Sequence, residues 1–195
     1  MLLSDISDFF DRRAAAWDEV ETAPADVVSR ILDLAGIRAG IDVLDVACGT
    51  GVLFPYYRAR RVGSLTGIDL APGMVREAKK KFPDVPVLCG NVMTAPVEGR
   101  FDAVMLYNAL PHFPDPAGLV RRLAGLLRPG GRLTIAHGSS RAEIDRCHEG
   151  AAHGVSMHLL GEDELAALFR PYCSVDVCIS DEEKYVVSGV LRLPG

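Results

Sequence analysis

VLDVACGTG, residues 43–51, is the stretch that decides the fold of this chain. Its first four residues form an apolar run interrupted only by Asp45, which is typical of a strand covered on both faces in a parallel sheet. A loop of small residues follows, beginning at Ala47. Gly49 and Gly51 lack a Cβ and tolerate a positive φ, so a ligand can lie directly against this backbone. Because ligands of parallel sheets bind beyond the carboxyl ends of the strands, the loop is the predicted binding site.

The acidic residue Asp69 ends the next apolar stretch, about 20 residues after the loop, where a carboxylate can bind the hydroxyls of a ribose. The loop differs from the dinucleotide fingerprint GxGxxG, since Phe54 stands where the third glycine would be. The bulky Val52 and Leu53 also argue against a pyrophosphate on the following helix. A nucleoside cofactor without phosphates fits better, and Asp45 offers an acceptor for a cationic group.

These features resemble the class I, seven-stranded S-adenosylmethionine-dependent methyltransferases. The stretch 43–51 is similar to the first motif of that family. Later segments match in order: GIDLAPGMVREAKKKF (67–82), GNVMTAP (90–96), FDAVMLYNALPHF (101–113) and LLRPGGRLTIAH (126–137). The resemblance implies an α/β fold with a mostly parallel seven-stranded sheet and helices on both faces. Two strand-like runs at the end of the chain, 173–179 and 184–193, predict an antiparallel hairpin at the sheet's edge.

The resemblance also implies a division of residues 1–195, taken as a single methyltransferase domain. Residues 1–36 hold N-terminal helices and a possible lid, and residues 40–137 form the cofactor-binding core. Residues 138–195 supply an acceptor-side segment and the C-terminal strands. Within 1–36, apolar residues recur every three or four positions, which predicts a helix over 4–20.

The cofactor S-adenosylmethionine is expected at the ends of the first four strands. Asn91 stands where many family members carry an aspartate, and its amide oxygen can still accept from the adenine amine. Met74 either covers the adenine or fills the core, and Asn108 faces the methionine portion. The expected cofactor contacts are Asp45, Ala47, Cys48, Gly49, Gly51, Asp69, Leu70, Met74, Asn91, Val92 and Asn108. From the N-terminal helix, the candidates to reach the cofactor are Phe9, Phe10, Arg13 and Trp17, unless the aromatic residues only anchor that helix.

Histidines are the candidates for acid–base chemistry, because a hydroxyl acceptor must lose a proton during methyl transfer. His112 and His137 follow adjacent strands and are expected at the same end of the sheet, as the catalytic residues. His148 and Trp17 are predicted to contact the acceptor. A structural role for each histidine stays open, and their order and spacing match no recognised metal site.

Composition limits the partners. The chain has 195 residues, 49% of them hydrophobic, and a net charge of −5, which does not favour nucleic acid. Apolar runs fall short of the ~20 residues of a membrane helix, and the N-terminus does not read as a secretory signal, so a cytoplasmic location is expected. The five cysteines lack CxxC spacing and indicate neither a disulfide framework nor a zinc site.

The sequence therefore predicts methyl transfer from S-adenosylmethionine to a small molecule, because little chain remains beyond the core to recognise a macromolecule. One alternative is a non-catalytic cofactor-binding module that serves as a sensor or partner subunit. Another is a nicotinamide-dependent oxidoreductase, which the missing third glycine disfavours. Formation of S-adenosylhomocysteine with a panel of acceptors would distinguish a methyltransferase from the non-catalytic module. A fluorescence titration with NADH would distinguish it from the oxidoreductase. The acceptor, the methylated atom and the oligomeric state are not specified by the sequence.

Overall fold

The structure is a computed structural model that describes residues 2–19, 23–149 and 153–193. The strands are β1 (Asp42–Val46), β2 (Ser64–Asp69), β3 (Val87–Cys89), β4 (Phe101–Tyr107), β5 (Leu127–His137), β6 (Cys173–Ser180) and β7 (Tyr185–Leu191). The α-helices are α1 (Leu3–Asp11), α2 (Ala25–Leu34), α3 (Phe54–Ala59), α4 (Pro72–Lys81), α5 (Pro116–Ala124), α6 (Arg141–Glu149) and α7 (Glu162–Phe169). Short 3₁₀ helices lie at Ala14–Glu19, Leu110–His112 and His153–Val155.

The strands form one sheet in the order β3-β2-β1-β4-β5-β7-β6. The first five are mutually parallel, and β7 runs antiparallel between β5 and β6. The predicted seven-stranded sheet with an antiparallel C-terminal hairpin is therefore confirmed. In the parallel half, Val46 is in register with Ile68 on one side and Leu106 on the other. The carboxyl ends of β1, β2 and β4 consequently lie side by side, and the loops that follow them face one space.

Two apolar layers cover the sheet. Along β1, Val43 packs on the side of α2, α3 and α4, while Leu44 and Val46 pack on the side of α5 and α7. Both sets are almost completely buried, because successive side chains of a strand point to opposite faces and both faces are covered here. The apolar run that begins the decisive stretch thus fills both layers.

The N-terminal region departs from the prediction of one helix over 4–20. Helix α1 ends at Asp11, the chain turns, and a 3₁₀ helix follows from Ala14 to Glu19. The turn lets Asp11 accept a hydrogen bond from the backbone N–H of Gly73 and lets Ala14 pack against Met74. Tertiary contacts with α4 outweigh the helical periodicity of the sequence in this region.

Candidate active site

A cavity of about 400 Å³ opens at the carboxyl ends of β1, β2 and β4. The N-terminal region forms its outer wall with Leu3, Ile6, Phe10 and Trp17. Of the predicted cofactor contacts, nine line it: Ala47, Cys48, Gly49, Asp69, Leu70, Met74, Asn91, Val92 and Asn108. His112 and Trp17 line it as well, so the structure brings most of the predicted site together in one space.

The loop after β1 owes its shape to left-handed backbone. Gly49 has a φ of 54° and Gly51 a φ of 86°, and a Cβ on Gly51 would come within 2.8 Å of the Phe54 ring. Ala47 adopts a φ of 54° although it carries a Cβ, a conformation that costs about 1–2 kcal/mol. Such strain in a residue that lines a cavity is typical of ligand sites.

Asp69 joins the end of β2 to this loop. One carboxylate oxygen accepts from the backbone N–H of Gly49 at 2.8 Å, and the other accepts from that of Ala71 at 2.9 Å. Burial raises the pKa of Asp69, and the two N–H donors act in the opposite direction. Each carboxylate oxygen has more than one lone pair, so both can accept a further hydrogen bond from a ligand.

Asp45 lies behind the loop and does not line the cavity. Its position in β1 puts it on the face of Val43, toward α3, where its carboxyl group is 2% exposed and lies close to Tyr57 and Cys48. Among the described residues, its Oδ2 has no hydrogen-bond partner. Burial, and then the charge of Asp69, raises the pKa of Asp45 well above its usual 3.8. Gly51 is also absent from the cavity lining, and its contribution is the turn of the loop.

Asn91 and Asn108 line the cavity just beyond the ends of β3 and β4. Asn91 Oδ1 accepts from the backbone N–H of Met93 at 2.9 Å, which fixes the turn after β3. Asn108 ends β4 with a φ of 53°, and its Oδ1 accepts from the backbone N–H of Gly138 at 3.0 Å. This second bond joins the loop after β4 to the loop after β5.

His112 lies one short 3₁₀ turn beyond Asn108, and both line the same cavity. Its Nδ1 is 2.8 Å from the carbonyl oxygen of Val155, an acceptor, so Nδ1 carries the proton in this bond. Nε2 is then the nitrogen with the basic lone pair in the neutral ring. The Phe10 ring packs edge-on against the imidazole, with 4.8 Å between the ring centroids.

His137, the other predicted catalytic histidine, does not line the cavity. His137 is 2% exposed at the end of β5, and its ring packs edge-on against Tyr185 of β7. Tyr185, which is in register with His137, thus packs on the ring that was expected to contact an acceptor. His148 belongs to α6, and its side chain lies outside the described part of the chain.

Two acidic residues that sequence reasoning missed, Asp11 and Asp18, hold the outer wall in place. Besides the bond from Gly73 to Asp11, Asp18 accepts from Thr50 Oγ1 at 2.6 Å and from Lys81 Nζ at 2.5 Å. These bonds connect the N-terminal region to the loop and to α4. Neither acid belongs to a motif, so only their position opposite α4 reveals this role.

The wall also differs in detail from the predicted aromatic contacts. Phe10 and Trp17 face inward, and a Cβ on Gly49 would lie 4.0 Å from Trp17 Nε1. Phe9 and Arg13 do not line the cavity, because the Arg13 guanidinium stacks on the Phe9 ring at 3.6 Å. Over the described ranges, no three His, Cys, Asp or Glu side chains are grouped as metal ligands, and no helix is long and apolar enough to cross a membrane.

Comparison with known proteins agrees with this geometry. Residues 44–135 match the family described as "Methyltransferase domain". The ubiquinone biosynthesis O-methyltransferase of Xanthomonas oryzae pv. oryzae is 41% identical over 117 residues, which are 57% of this chain and 47% of that protein. This chain therefore spans about half the length of the curated relatives it matches.

Solved structures match over nearly the whole chain. A putative methyltransferase in complex with the Trm112 methyltransferase activator of Haloferax volcanii has a TM-score of 0.82 at 20% identity, covering 97% of this chain and 99% of that one. The complex of DhpI with SAH (S-adenosylhomocysteine) has a TM-score of 0.73 at 20% identity, with 99% and 98% covered. The fold is therefore Rossmann-like, as in these solved methyltransferases, and residues 44–135 are similar to the methyltransferase-domain family.

Proposed function

We propose that this chain transfers a methyl group from S-adenosylmethionine to a hydroxyl group of a small molecule. The observation that carries the proposal is the shared cavity, which is lined by the glycine loop and Asp69 and also by Asn108 and His112. A cofactor site and a basic group thus border the same space. The O-methyltransferase name of the X. oryzae relative supports oxygen as the accepting atom.

The residues of the cavity fit the cofactor. Gly49, at a φ of 54°, leaves the backbone of the loop open to a ligand, and Asp69 offers carboxylate oxygens to ribose hydroxyls. Asn91 is the proposed contact to the adenine.

The chain's chemical task is positioning and proton removal. When bound, the cofactor supplies a methyl group that is already electrophilic. His112 Nε2 takes the proton from the acceptor hydroxyl, while the bond from Nδ1 to Val155 holds the ring and its tautomer. The wall formed by Phe10 and Trp17 excludes water from the reacting groups.

The cofactor assignment is tested by calorimetry with S-adenosylhomocysteine. Asp69→Ala removes a charge-assisted bond to the ribose and a support of the loop, so binding should weaken by about 2–3 kcal/mol. The control is Asp84→Ala, which removes an exposed carboxylate paired with Arg58 away from the cavity. Unchanged affinity in the Asp69 variant would overturn the assignment.

The role of His112 is tested by His112→Gln, which roughly keeps the size and polarity of the side chain but is not a base. We expect cofactor affinity to stay within about twofold while kcat falls by about 10²–10⁴-fold. His158→Gln is the control, because His158 is an exposed histidine outside the cavity lining. A kcat close to wild type would assign His112 a structural role.

A second candidate is a cofactor-binding subunit that needs a partner for turnover. The structural neighbour solved with an activator protein motivates it. This candidate predicts that the isolated chain binds S-adenosylhomocysteine normally but methylates no member of an acceptor panel. Turnover by the isolated chain would exclude it.

A further inference from the structure

We propose that the acceptor is an uncharged aromatic hydroxyl compound, a phenol, whose ring lies against Phe10 and Trp17 with its hydroxyl directed to His112. This inference rests on the proposed function and names the class of molecule that the site selects. It follows from three properties of the cavity: its charge, the arrangement of its aromatic rings, and the strength of its base.

The charge of the cavity disfavours an anionic acceptor. Among the described residues that line it, none is a lysine or arginine, and the carboxylates are Asp69 and Asp115. Both are already bonded to backbone N–H groups, Asp69 to the loop and Asp115 to Gly118 at the start of α5. A carboxylate or phosphate on the acceptor would lose its hydration here without gaining a cationic partner, which is strongly unfavourable.

The rings of the outer wall favour a flat, apolar ligand. Phe10 contacts Trp17 edge-on, with 5.4 Å between centroids and 71° between planes, and contacts His112 at 4.8 Å and 83°. Phe10 therefore lies between the tryptophan that faces the glycine loop and the proposed base. The side chains of Leu3 and Ile6 extend this apolar surface from α1. An aromatic acceptor gains edge-to-face or offset-stacked contacts on such a wall, which a saturated ring does not provide.

The strength of the base favours a phenol over an alcohol. A phenolic hydroxyl has a pKa of about 10, whereas the pKa of an alcohol lies several units higher. Proton transfer to an imidazole therefore costs far less free energy from a phenol than from an alcohol. His112 is the histidine that the described structure brings to this cavity, so a single imidazole is matched to a phenol.

The chain carries its own probe for the test, because Trp17 is its only tryptophan and lines the cavity. Its fluorescence is titrated, in saturating S-adenosylhomocysteine, with para-ethylphenol, para-ethylcyclohexanol and para-ethylbenzoate. These probes share a size but differ in aromaticity or charge. We expect the phenol to bind at least tenfold more tightly than either of the others. Equal binding of the benzoate or the cyclohexanol would overturn the inference.

A matched pair of variants locates the selectivity. Phe10→Leu should weaken phenol binding by about threefold to tenfold, reducing its advantage over the cyclohexanol. Phe9→Leu alters the adjacent ring, which lies outside the cavity lining, and should leave both affinities within about twofold. If Phe10→Leu keeps the selectivity of the wild type, the role of Phe10 is contradicted. The titrations of the wild type test the inference without any substitution.

Failure of this inference can be distinguished from failure of the proposed function. If S-adenosylhomocysteine itself does not bind in calorimetry, the proposed function fails and the inference fails with it. If it binds and labelled cofactor methylates a carboxylate-bearing or aliphatic acceptor in preference to phenols, the function stands and the inference is wrong. Methylation of phenols in preference to carboxylate-bearing and aliphatic acceptors supports the inference.

Discussion

Replacing Asp45 with asparagine should stabilise the ligand-free protein at neutral pH, although Asp45 belongs to the stretch that decides the fold. The carboxyl group is buried beneath the loop, and its Oδ2 has no hydrogen-bond partner among the described residues. Burial and the charge of Asp69 together raise the pKa of Asp45 well above 3.8. The folded chain therefore disfavours the ionised form that the unfolded chain adopts freely above that pH.

The sign and size follow from proton linkage. A group whose pKa is raised by folding contributes its stability fully below the unfolded value of 3.8 and loses it as pH rises toward the folded value. Between these two pKa values the folded chain binds one proton more than the unfolded chain. The free energy of unfolding of the wild type therefore falls by about 1.4 kcal/mol per pH unit relative to Asp45→Asn. For a chain of this length that corresponds to a difference in Tm of about 3–5 °C per pH unit.

The assay is urea unfolding of both proteins at a series of pH values from about 4 to 8. The matched control is Asp42→Asn, three residues earlier on β1. Hydrogen bonds from Ser64 and Arg128 lower the pKa of Asp42, so its stability is present above 3.8 and lost on acidification. The control variant should be less stable than wild type at neutral pH and approach it at low pH. A difference between wild type and Asp45→Asn that does not change with pH would refute the reasoning.

Three further substitutions test the loop and the wall. Ala47→Gly should stabilise the chain by about 1 kcal/mol in urea unfolding, because glycine adopts a φ of 54° without strain, and no gain would mean that the loop is unstrained. Asp18→Asn weakens the contacts to the loop and α4, so hydrogen exchange should be faster over residues 14–17, whereas Asp26→Asn, on the exposed side of α2, should leave that exchange unchanged. Gly73→Ala places a Cβ against α1 and should weaken S-adenosylhomocysteine binding in calorimetry if the wall closes on the cofactor. Unchanged binding would mean that the outer wall does not contribute to cofactor binding.

The sequence predicted the parallel half of the fold because each of its signals is local. The apolar run at 43–46 needs both faces covered, and the small residues after it need left-handed backbone, so strand and loop follow from a few adjacent residues. The same holds for β2, which was predicted at its observed bounds of Ser64–Asp69. The positions of Asp69 and Asn108 at the cavity follow in turn, since the ends of parallel strands share one edge of the sheet.

The direction of a side chain from a strand end was harder to predict. Asp45 and His137 were assigned to the site because they lie near the ends of β1 and β5, yet Asp45 faces α3 and His137 packs on Tyr185. Strand alternation and the insertion of β7 beside β5 decide these directions, and neither depends on the residues themselves. The break between α1 and the following 3₁₀ helix likewise depends on Gly73, which lies about 60 residues further along the chain.

Part of the cavity lining lies outside the segment that matches the family, which limits what the match indicates about this chain. The segment that matches the methyltransferase family, 44–135, holds the loop, Asp69 and His112, which are the proposed cofactor contacts and base. The outer wall comes from residues 3–17, before that segment begins, and lines the same cavity. A shared match over 44–135 therefore supports a shared cofactor and carries no information on the wall that an acceptor would touch. The acceptor has to be argued from Phe10 and Trp17 themselves, because the part of the chain proposed to contact it lies outside the family match.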